Sequence, residues 1–213
     1  MNNLRDDLIY VGDIHGDLTT LEALVEVLTF EGDKRFVFLG DYVNRGPDSK
    51  GVIDFLISLS KSMECVFLKG NHDECLLSAV NSGVVSDLLR VGGAPTISSY
   101  TTIPVPNPVG SSLQSSFPRG HRFFLDNLQE SYHDGDVIAR HKPWKVPPGK
   151  LGVCGHVEVG DHPIRKNGLV YIDTGCGEKR EGWLTAFNES VGSVTQVSGS
   201  GDKRIFDIST VNS

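Results

Sequence analysis

The sequence predicts an α/β fold in which two β-sheets face each other and helices lie outside them. Over roughly the first eighty residues, apolar runs alternate with helical patterns in the order β-α-β-α-β-α, which favours parallel strands joined by right-handed crossovers. The last third contains several short apolar runs and little helical periodicity, which indicates a second, strand-rich half. Because no internal repeat or linker composition is visible, we interpret residues 1–213 as a single domain.

The strands of the first half are predicted by three apolar runs rich in β-branched and aromatic residues. These runs cover residues 8–11, 36–39 and 65–68, and such runs are typical of strands buried on both faces. Apolar residues recur at helical spacing between and after them, which predicts three helices. The helical segments are 17–30, the stretch that opens at Pro47, and 74–80.

The middle of the chain has a different character. Residues 100–120 are rich in Pro, Ser, Thr and Gly and show no periodicity, so we predict a mobile surface loop, either a lid over the substrate or an ordinary loop. A short helix is expected to end near Gly92, and another to cover 121–128. The predicted strands of the last third are 136–141, 151–156, 169–175, 182–187, 193–197 and 203–208.

Composition limits the partners and the location of the protein. The net charge of −7 argues against a nucleic-acid partner, although a metal ion could supply positive charge for a small phosphorylated substrate. No apolar run approaches the roughly 20 residues that span a bilayer, and the N-terminus lacks the apolar segment of a signal peptide. The four cysteines have no close spacing, which indicates free thiols in a reducing compartment. We therefore expect a cytoplasmic protein without a membrane partner.

Metal-type ligands follow each of the first three predicted strands. Asp13 and His15 follow the first strand, Asp41 the second and Asn71 the third, each after a glycine. The carboxyl ends of such strands form the ligand-binding edge of an open α/β sheet. Two later predicted strands end at histidines, His141 and His156.

This donor set indicates chemistry on phosphate esters. Mixed oxygen and imidazole ligands suit manganese, iron or zinc better than calcium. One carboxylate, here Asp41, can bridge two cations about 4 Å apart, and a water held between them loses a proton near neutral pH and attacks phosphorus in line. The guanidinium of Arg45 could hold phosphate oxygens, and His72 could protonate the leaving oxygen.

These motifs also resemble those of a known family. The segments 12–16, 40–46 and 70–73 are similar to the three signature motifs of the phosphoprotein phosphatases, which belong to the calcineurin-like metallophosphoesterases and whose relatives include symmetrical diadenosine tetraphosphatases. The similarity continues through Gly92-Gly93, Thr96 and residues 99–100, and through Gly155-His156, 172–175 and 184–186.

The resemblance implies a four-layer α-β-β-α sandwich of two mixed sheets with a dinuclear metal centre. It implies one metal ion on Asp13, His15 and Asp41, and a second ion on a set that shares Asp41. That second set is Asp41, Asn71, His141 and His156. Manganese is the expected metal, with iron and zinc as alternatives.

The resemblance also implies an activity, and it is compatible with three hypotheses. The first is a serine/threonine protein phosphatase acting on phosphorylated proteins or small phosphoesters. The second is a dinucleoside polyphosphate hydrolase, with Trp144, Lys142 and Lys145 as the only sign of a nucleotide pocket. The third is a catalytically weakened member that binds phosphorylated ligands.

The sequence departs from the family pattern at the second and third motifs and near the distal histidines. Asn44 replaces an aspartate that pairs in the family with the histidine corresponding to His72, and Asp73 replaces a glutamate. Asn44 therefore joins His72 and Arg45 as a catalytic candidate. The segment between His141 and His156 is too short for the insert that carries the family's second phosphate-binding arginine. We expect Arg140 to bind substrate together with Arg45 and Asn71, with Lys142 and Lys145 as alternatives. The other histidines, His121, His133 and His162, are expected at the surface or in helices.

Overall fold

The computed structural model describes residues 8–30, 32, 34–102, 107–179 and 181–210. These residues form twelve strands and seven α-helices. The strands are β1 (Leu8–Val11), β2 (Arg35–Phe38), β3 (Cys65–Phe67), β4 (Tyr132–Asp134), β5 (Val137–Arg140), β6 (Leu151–Cys154), β7 (Ile164–Lys166), β8 (Leu169–Tyr171), β9 (Asp173–Thr174), β10 (Trp183–Asn188), β11 (Ser193–Ser198) and β12 (Lys203–Asp207). The helices are α1 (Leu18–Thr29), α2 (Ser49–Leu59), α3 (Asn71–Ser82), α4 (Ser86–Arg90), α5 (Ala94–Tyr100), α6 (Val109–Ser116) and α7 (Arg119–Asp126).

Both sheets are mixed. The first has the order β12-β11-β10-β1-β2-β3, with β9 paired to β10, and the second has the order β4-β5-β6-β8-β7. Strands β1, β2 and β3 are parallel, as the alternating pattern predicts, whereas β1 and β10 run antiparallel. In the second sheet β5, β6 and β8 are parallel. The predicted α/β fold with two mixed sheets is confirmed.

The two faces of the first sheet bury different residues. Tyr10 and Val37 face the second sheet, where they pack with Val153 and Val170. Their neighbours in the strands, such as Phe36, face the helices instead. The side chains of a strand alternate between faces, so a continuous apolar run is buried on both sides. Each fully buried large apolar side chain contributes about 2 kcal/mol of transfer free energy.

Two aspartates begin the helices of the first half. The Asp17 carboxylate accepts a hydrogen bond from the backbone nitrogen of Thr20 at 3.0 Å, and Asp48 accepts one from Gly51 at 2.8 Å. Each bond satisfies a backbone donor that the first helical turn leaves free. The predicted cap at Asp17 is confirmed.

The seven α-helices in the described part of the chain all end by Asp126, so the crossovers of the second sheet are loops. In the loop between β5 and β6, Trp144 and Val146 pack over Gly152, where a Cβ atom would lie 2.8 Å from Val146 and 3.1 Å from the Trp144 ring. Gly152 neighbours Val153, which faces the first sheet, so this packing covers the opposite face of the second sheet. A glycine here lets the loop lie flat on the strand.

The prediction of a loop over 100–120 is wrong for most of the residues that the structure describes there. Helix α6 occupies Val109–Ser116, and α7 begins at Arg119. Leu113 is fully buried in the helical core, and the Gln114 side chain donates to the carbonyl of Val80 at 3.0 Å. Packing against α3 therefore overrides the weak helix propensity of the serines. Residues 103–106 lie outside the described ones, and a gating role stays a prediction.

His121 is on a helix, as expected, but it is buried and joins three helices. The Tyr100 hydroxyl donates to Nδ1 of His121 at 2.8 Å, and Nε2 donates to a carboxylate oxygen of Asp54 at 2.9 Å. Burial lowers the pKa of His121 despite the opposing attraction of Asp54. The folded protein therefore holds the imidazole neutral, and this contribution to stability is present above the ordinary histidine pKa of about 6.5 and declines as the pH falls below it.

We predict that His121→Ala lowers the free energy of unfolding by about 2–3 kcal/mol at pH 7.5, because two hydrogen bonds are lost and the Tyr100 hydroxyl is left without its acceptor. The difference from the wild type should shrink at pH 5.5. Urea denaturation of both proteins at both pH values measures this difference in the free energy of unfolding. His133→Ala removes an exposed histidine and is the control, with an expected effect within about 0.5 kcal/mol. Equal effects of the two substitutions would contradict the assignment.

Candidate metal centre

The structure brings all six predicted metal ligands to one edge of the two sheets. They lie on the loops that follow β1, β2, β5 and β6 and at the start of α3. The six are Asp13, His15, Asp41, Asn71, His141 and His156. His72 lies beside them, with Nε2 at 3.9 Å from Oδ2 of Asp41.

Two of the imidazoles are oriented by backbone carbonyls. Nδ1 of His15 lies 3.1 Å from the carbonyl oxygen of Val43, and Nδ1 of His141 lies 3.0 Å from that of Leu39. A carbonyl only accepts hydrogen bonds, so each Nδ1 carries the proton. The lone pair that can bind a metal ion is then on Nε2 of each ring, which is how such second partners orient metal-binding histidines.

Several electron-pair donors converge around Nε2 of His141. Oδ2 of Asp41 lies at 3.3 Å, Oδ1 of Asn71 at 3.1 Å and Nδ1 of His156 at 3.2 Å. Carboxylate and amide oxygens donate no hydrogen bond, so neither Asp41 nor Asn71 can satisfy a lone pair on this nitrogen. A cation at this point converts mutual repulsion into coordination, so these residues fit a metal ion.

Asp41 belongs to two groups with metal-binding geometry. His15, Asp41 and His72 form one, and Asp41, His141 and His156 form the other; within each group the ligand atoms lie within 4.8 Å of one another. The shared carboxylate agrees with the predicted bridging position. The first group contains His72 where the resemblance implied Asp13, whose Oδ2 lies 4.0 Å from Nε2 of His15.

The electrostatics of the buried carboxylates favour a cation. Burial, followed by the charges of Asp173 and Asp41, raises the pKa of Asp13 well above its ordinary value. Burial also opposes ionisation of Asp41, whereas the imidazoles around it, that of His141 first, lower its pKa. Burial lowers the pKa of His15 to about 3, which keeps its Nε2 unprotonated at neutral pH.

The backbone of the centre is strained. Of the six residues other than glycine with positive φ among the described residues, five belong to the metal and catalytic candidates. They are His15, Asp41, Asn44, Arg45 and His156, with φ of 49°, 51°, 72°, 68° and 66°. Such conformations cost about 1–3 kcal/mol each and persist only where surrounding contacts hold them.

Asp73 supplies several of those contacts and is a residue whose role the motif reading missed. Its buried carboxylate accepts hydrogen bonds from the backbone nitrogens of Asp41 at 2.9 Å, Tyr42 at 3.0 Å and Gly70 at 2.9 Å. It thereby joins the loop after β2 to the start of α3. The sequence around Asp73 did not predict these hydrogen bonds, because their donors are backbone nitrogens, which every residue other than proline carries.

Asn44 contacts His72, as the resemblance implied for this position. The hydroxyl of Thr96 donates to Oδ1 of Asn44 at 2.9 Å, which leaves Nδ2 facing Nδ1 of His72 at 3.1 Å. An amide nitrogen only donates, so Nδ1 of His72 is an acceptor. The proton of the neutral ring is therefore on Nε2, the atom directed towards Asp41.

Arg45, the predicted phosphate ligand, is engaged by a carboxylate that the sequence did not single out. Its guanidinium forms an ion pair with Glu178, and Nη1 lies 2.8 Å from Nε2 of His15. Glu178 follows the tight turn at Gly177, where a Cβ atom would lie 2.3 Å from the carbonyl oxygen of His15. The turn is therefore pressed against the metal-binding loop, and the Glu178 carboxylate reaches 3.7 Å from Nε2 of His15.

The predicted substrate residue Arg140 lies apart from Arg45. It is exposed at the end of β5, and its guanidinium carbon is 5.3 Å from the centroid of the Trp144 ring.

We predict that Asp41→Asn releases at least one manganese ion per chain, because the bridging candidate loses the charge that both groups share. Metal content after dialysis against a manganese buffer measures the loss. Asp87→Asn, which alters an exposed carboxylate paired with Arg90, is the matched control. An Asp41→Asn protein that retains the wild-type manganese content would contradict the shared position.

A second prediction concerns Glu178. Glu178→Gln should strengthen binding of inorganic phosphate several-fold, since the neutral amide competes less for the Arg45 guanidinium, and Arg45→Gln should weaken it. Inhibition of p-nitrophenyl phosphate hydrolysis by phosphate measures both. Glu158→Gln, which changes a carboxylate paired with Lys179 beside the same turn, is the control. Unchanged or weaker phosphate inhibition in Glu178→Gln would contradict this competition.

Comparison with known families identifies a match over most of the chain. The profile of the calcineurin-like phosphoesterases matches residues 8–175. Symmetrical bis(5'-nucleosyl)-tetraphosphatases are similar over shorter segments. That of Pseudomonas fluorescens (strain SBW25) is 44% identical over 73 residues, 34% of this chain and 25% of the relative. That of Cellvibrio japonicus (strain Ueda107) is 44% identical over 95 residues, 41% of this chain and 34% of the relative. The chain thus spans a quarter to a third of these relatives.

Solved structures share the fold at low sequence identity. A crystal structure provisionally assigned as a diadenosine tetraphosphatase has a TM-score of 0.66 at 23% identity and covers 93% of this chain and 96% of its own. A cold-active protein-tyrosine phosphatase of a psychrophilic Shewanella species has a TM-score of 0.63 at 13% identity, over 93% of this chain and 79% of its own. Among the described residues, no helix combines the length and apolar character needed to cross a membrane.

Proposed function

Because the chain belongs to the calcineurin-like phosphoesterase family, we propose that it hydrolyses a phosphoester or phosphoanhydride bond at the Asp41 centre with divalent metal ions bound. The observation that carries the proposal is the convergence of Asp41, Asn71 and His156 on Nε2 of His141. Bound cations would balance this charge and supply a nucleophile from water near neutral pH. Manganese is the metal we propose first.

The residues of the chain take distinct roles in this proposal. The six ligands hold the cations, and Arg45 binds the oxygens of the phosphate under attack after Glu178 releases it. His72 holds a proton on Nε2 and offers it as a hydrogen bond to the leaving oxygen. Asn44 fixes that tautomer through Nδ2, while Thr96 fixes the orientation of the Asn44 amide.

We propose a dinucleoside polyphosphate as the substrate, ahead of the phosphorylated protein expected from the motifs. The curated relatives described above are named symmetrical tetraphosphatases, and the contact between Asn44 and His72 supports the same choice. An amide at this position brings no charge to stabilise a protonated His72, so His72 is a weak proton donor. A nucleoside phosphate leaves readily as an anion, whereas a serine alkoxide depends strongly on protonation.

We predict that the manganese-loaded protein cleaves diadenosine tetraphosphate with a higher kcat/KM than a phosphoserine peptide. Steady-state kinetics on both compounds and on p-nitrophenyl phosphate, with product analysis, measures this order. A faster reaction with the phosphopeptide would favour the protein phosphatase. Full metal content without turnover of any of the three would indicate a member that only binds phosphorylated ligands.

The Asn44→Asp variant sharpens this experiment. A carboxylate beside Nδ1 should make His72 a better donor and raise turnover of the phosphoserine peptide about tenfold, within the range of general acid catalysis. Diadenosine tetraphosphate and p-nitrophenyl phosphate, which have good leaving groups, should gain little. In a His72→Ala background the gain should vanish, because the two residues act as a pair. An equal gain on all three compounds would contradict the leaving-group argument.

A further inference from the structure

A cavity of about 340 Å³ opens beside the second group of metal ligands. Asn71 and His141 line it and also belong to the metal centre, so the cavity and the centre are continuous. Its volume falls within the range of small-molecule sites. A ligand phosphate at the centre could therefore extend into this space.

The cavity wall carries two cationic side chains without an acidic partner. In the described part of the chain, no carboxylate lies within ion-pair distance of Arg140 or Lys142, both of which are exposed. Lys69 also lines the cavity, but Glu130 binds its ammonium group at 2.7 Å. Glu74 adds a second carboxylate. The uncompensated positive charge therefore lies on the side of Arg140 and Lys142.

Arg140 is held in place by Trp144. The guanidinium carbon lies 5.3 Å from the ring centroid, within the range of a cation–π interaction. Trp144 is itself anchored, because its ring packs against Gly152 on the second sheet. This packing restricts the arginine before any ligand arrives, so less conformational entropy is lost on binding.

The two arginines lie beside different groups of ligands. Arg45 contacts His15 of the first group, whereas Arg140 directly precedes His141 of the second. Arg45 and Arg140 could therefore contact different phosphates of one substrate. A substrate with a chain of phosphates carries further negative charge outside the metal centre.

We propose that this cavity binds the phosphate next to the scissile one, with Arg140 and Lys142 as specificity-determining residues for polyphosphate substrates. Trp144 acts as a positioning residue through Arg140. This inference rests on the proposed hydrolase activity. It adds an explanation of how the protein would distinguish polyphosphates from substrates with a single phosphate. A bidentate guanidinium and an adjacent ammonium suit a phosphate with several free oxygens.

Inhibition of p-nitrophenyl phosphate hydrolysis by two inorganic probes tests the proposal. Tripolyphosphate can reach from the metal centre into the cavity, whereas orthophosphate cannot, and the free manganese concentration is held constant. Arg140→Gln and Lys142→Gln should each weaken inhibition by tripolyphosphate five- to tenfold relative to inhibition by orthophosphate. Trp144→Leu should weaken it in the same direction, and Arg140→Lys should restore part of it.

Lys145→Gln is the matched control, because it removes the same charge from the same loop at a position outside the cavity wall. An unchanged inhibition ratio in both Arg140→Gln and Lys142→Gln, or an equal shift in Lys145→Gln, would overturn the proposal. So would an equal loss of activity on a phosphoserine peptide that carries no second phosphate.

The outcome is separable from that of the proposed function. The inorganic probes require no cleavage of a dinucleotide, so the cavity can be supported while diadenosine tetraphosphate proves a poor substrate. If the protein hydrolyses none of the esters, calorimetric binding of the same two probes to the manganese-loaded protein measures the same ratio.

Discussion

The structure of the centre depends on one electrostatic constraint: several buried electron-pair donors share the space around Asp41. Burying charge without a counter-charge is costly, and the side chains around the Asp41 carboxylate include the imidazoles of His15 and His141, whose Nδ1 protons are directed to backbone carbonyls. The carbonyls of Val43 and Leu39 hold those protons. Strained backbone, with positive φ at His15, Asp41 and His156, brings the donors together. A divalent cation bound among these donors would balance their charge.

The rest of the structure holds these electron-pair donors close together. The apolar strands β1 and β2 are buried on both faces, which fixes the points where their loops begin. Asp73 joins the loop after β2 to α3 through three backbone donors. Asn44, with Thr96 behind it, orients His72 without adding a charge. Asn44 and Thr96 thus position the imidazole, and His72 carries the proton. Because the Asn44 amide adds no charge to His72, we associate it with substrates whose leaving groups need little protonation.

The parts predicted from sequence were those with local signals. Apolar runs ending in glycine identified β1, β2 and β3 and, through the shared sheet edge, the meeting of Asp13, Asp41 and Asn71. The contacts missed are long-range. Glu178 reaches Arg45 through a glycine turn, and Trp144 packs on Gly152, with no pattern at either position that indicates its partner. Helix α6 was missed because, among its serines and flanking prolines, only one large apolar side chain, that of Leu113, is fully buried.

The central claim is that Asp41 is shared by two metal ions. Anomalous diffraction at the manganese edge, from crystals of the manganese-loaded protein, tests it most directly. Our account predicts two peaks about 4 Å apart, one beside His15 and one beside His141 and His156, with the Asp41 carboxylate between them. A single peak, or two peaks of which only one contacts Asp41, would contradict it.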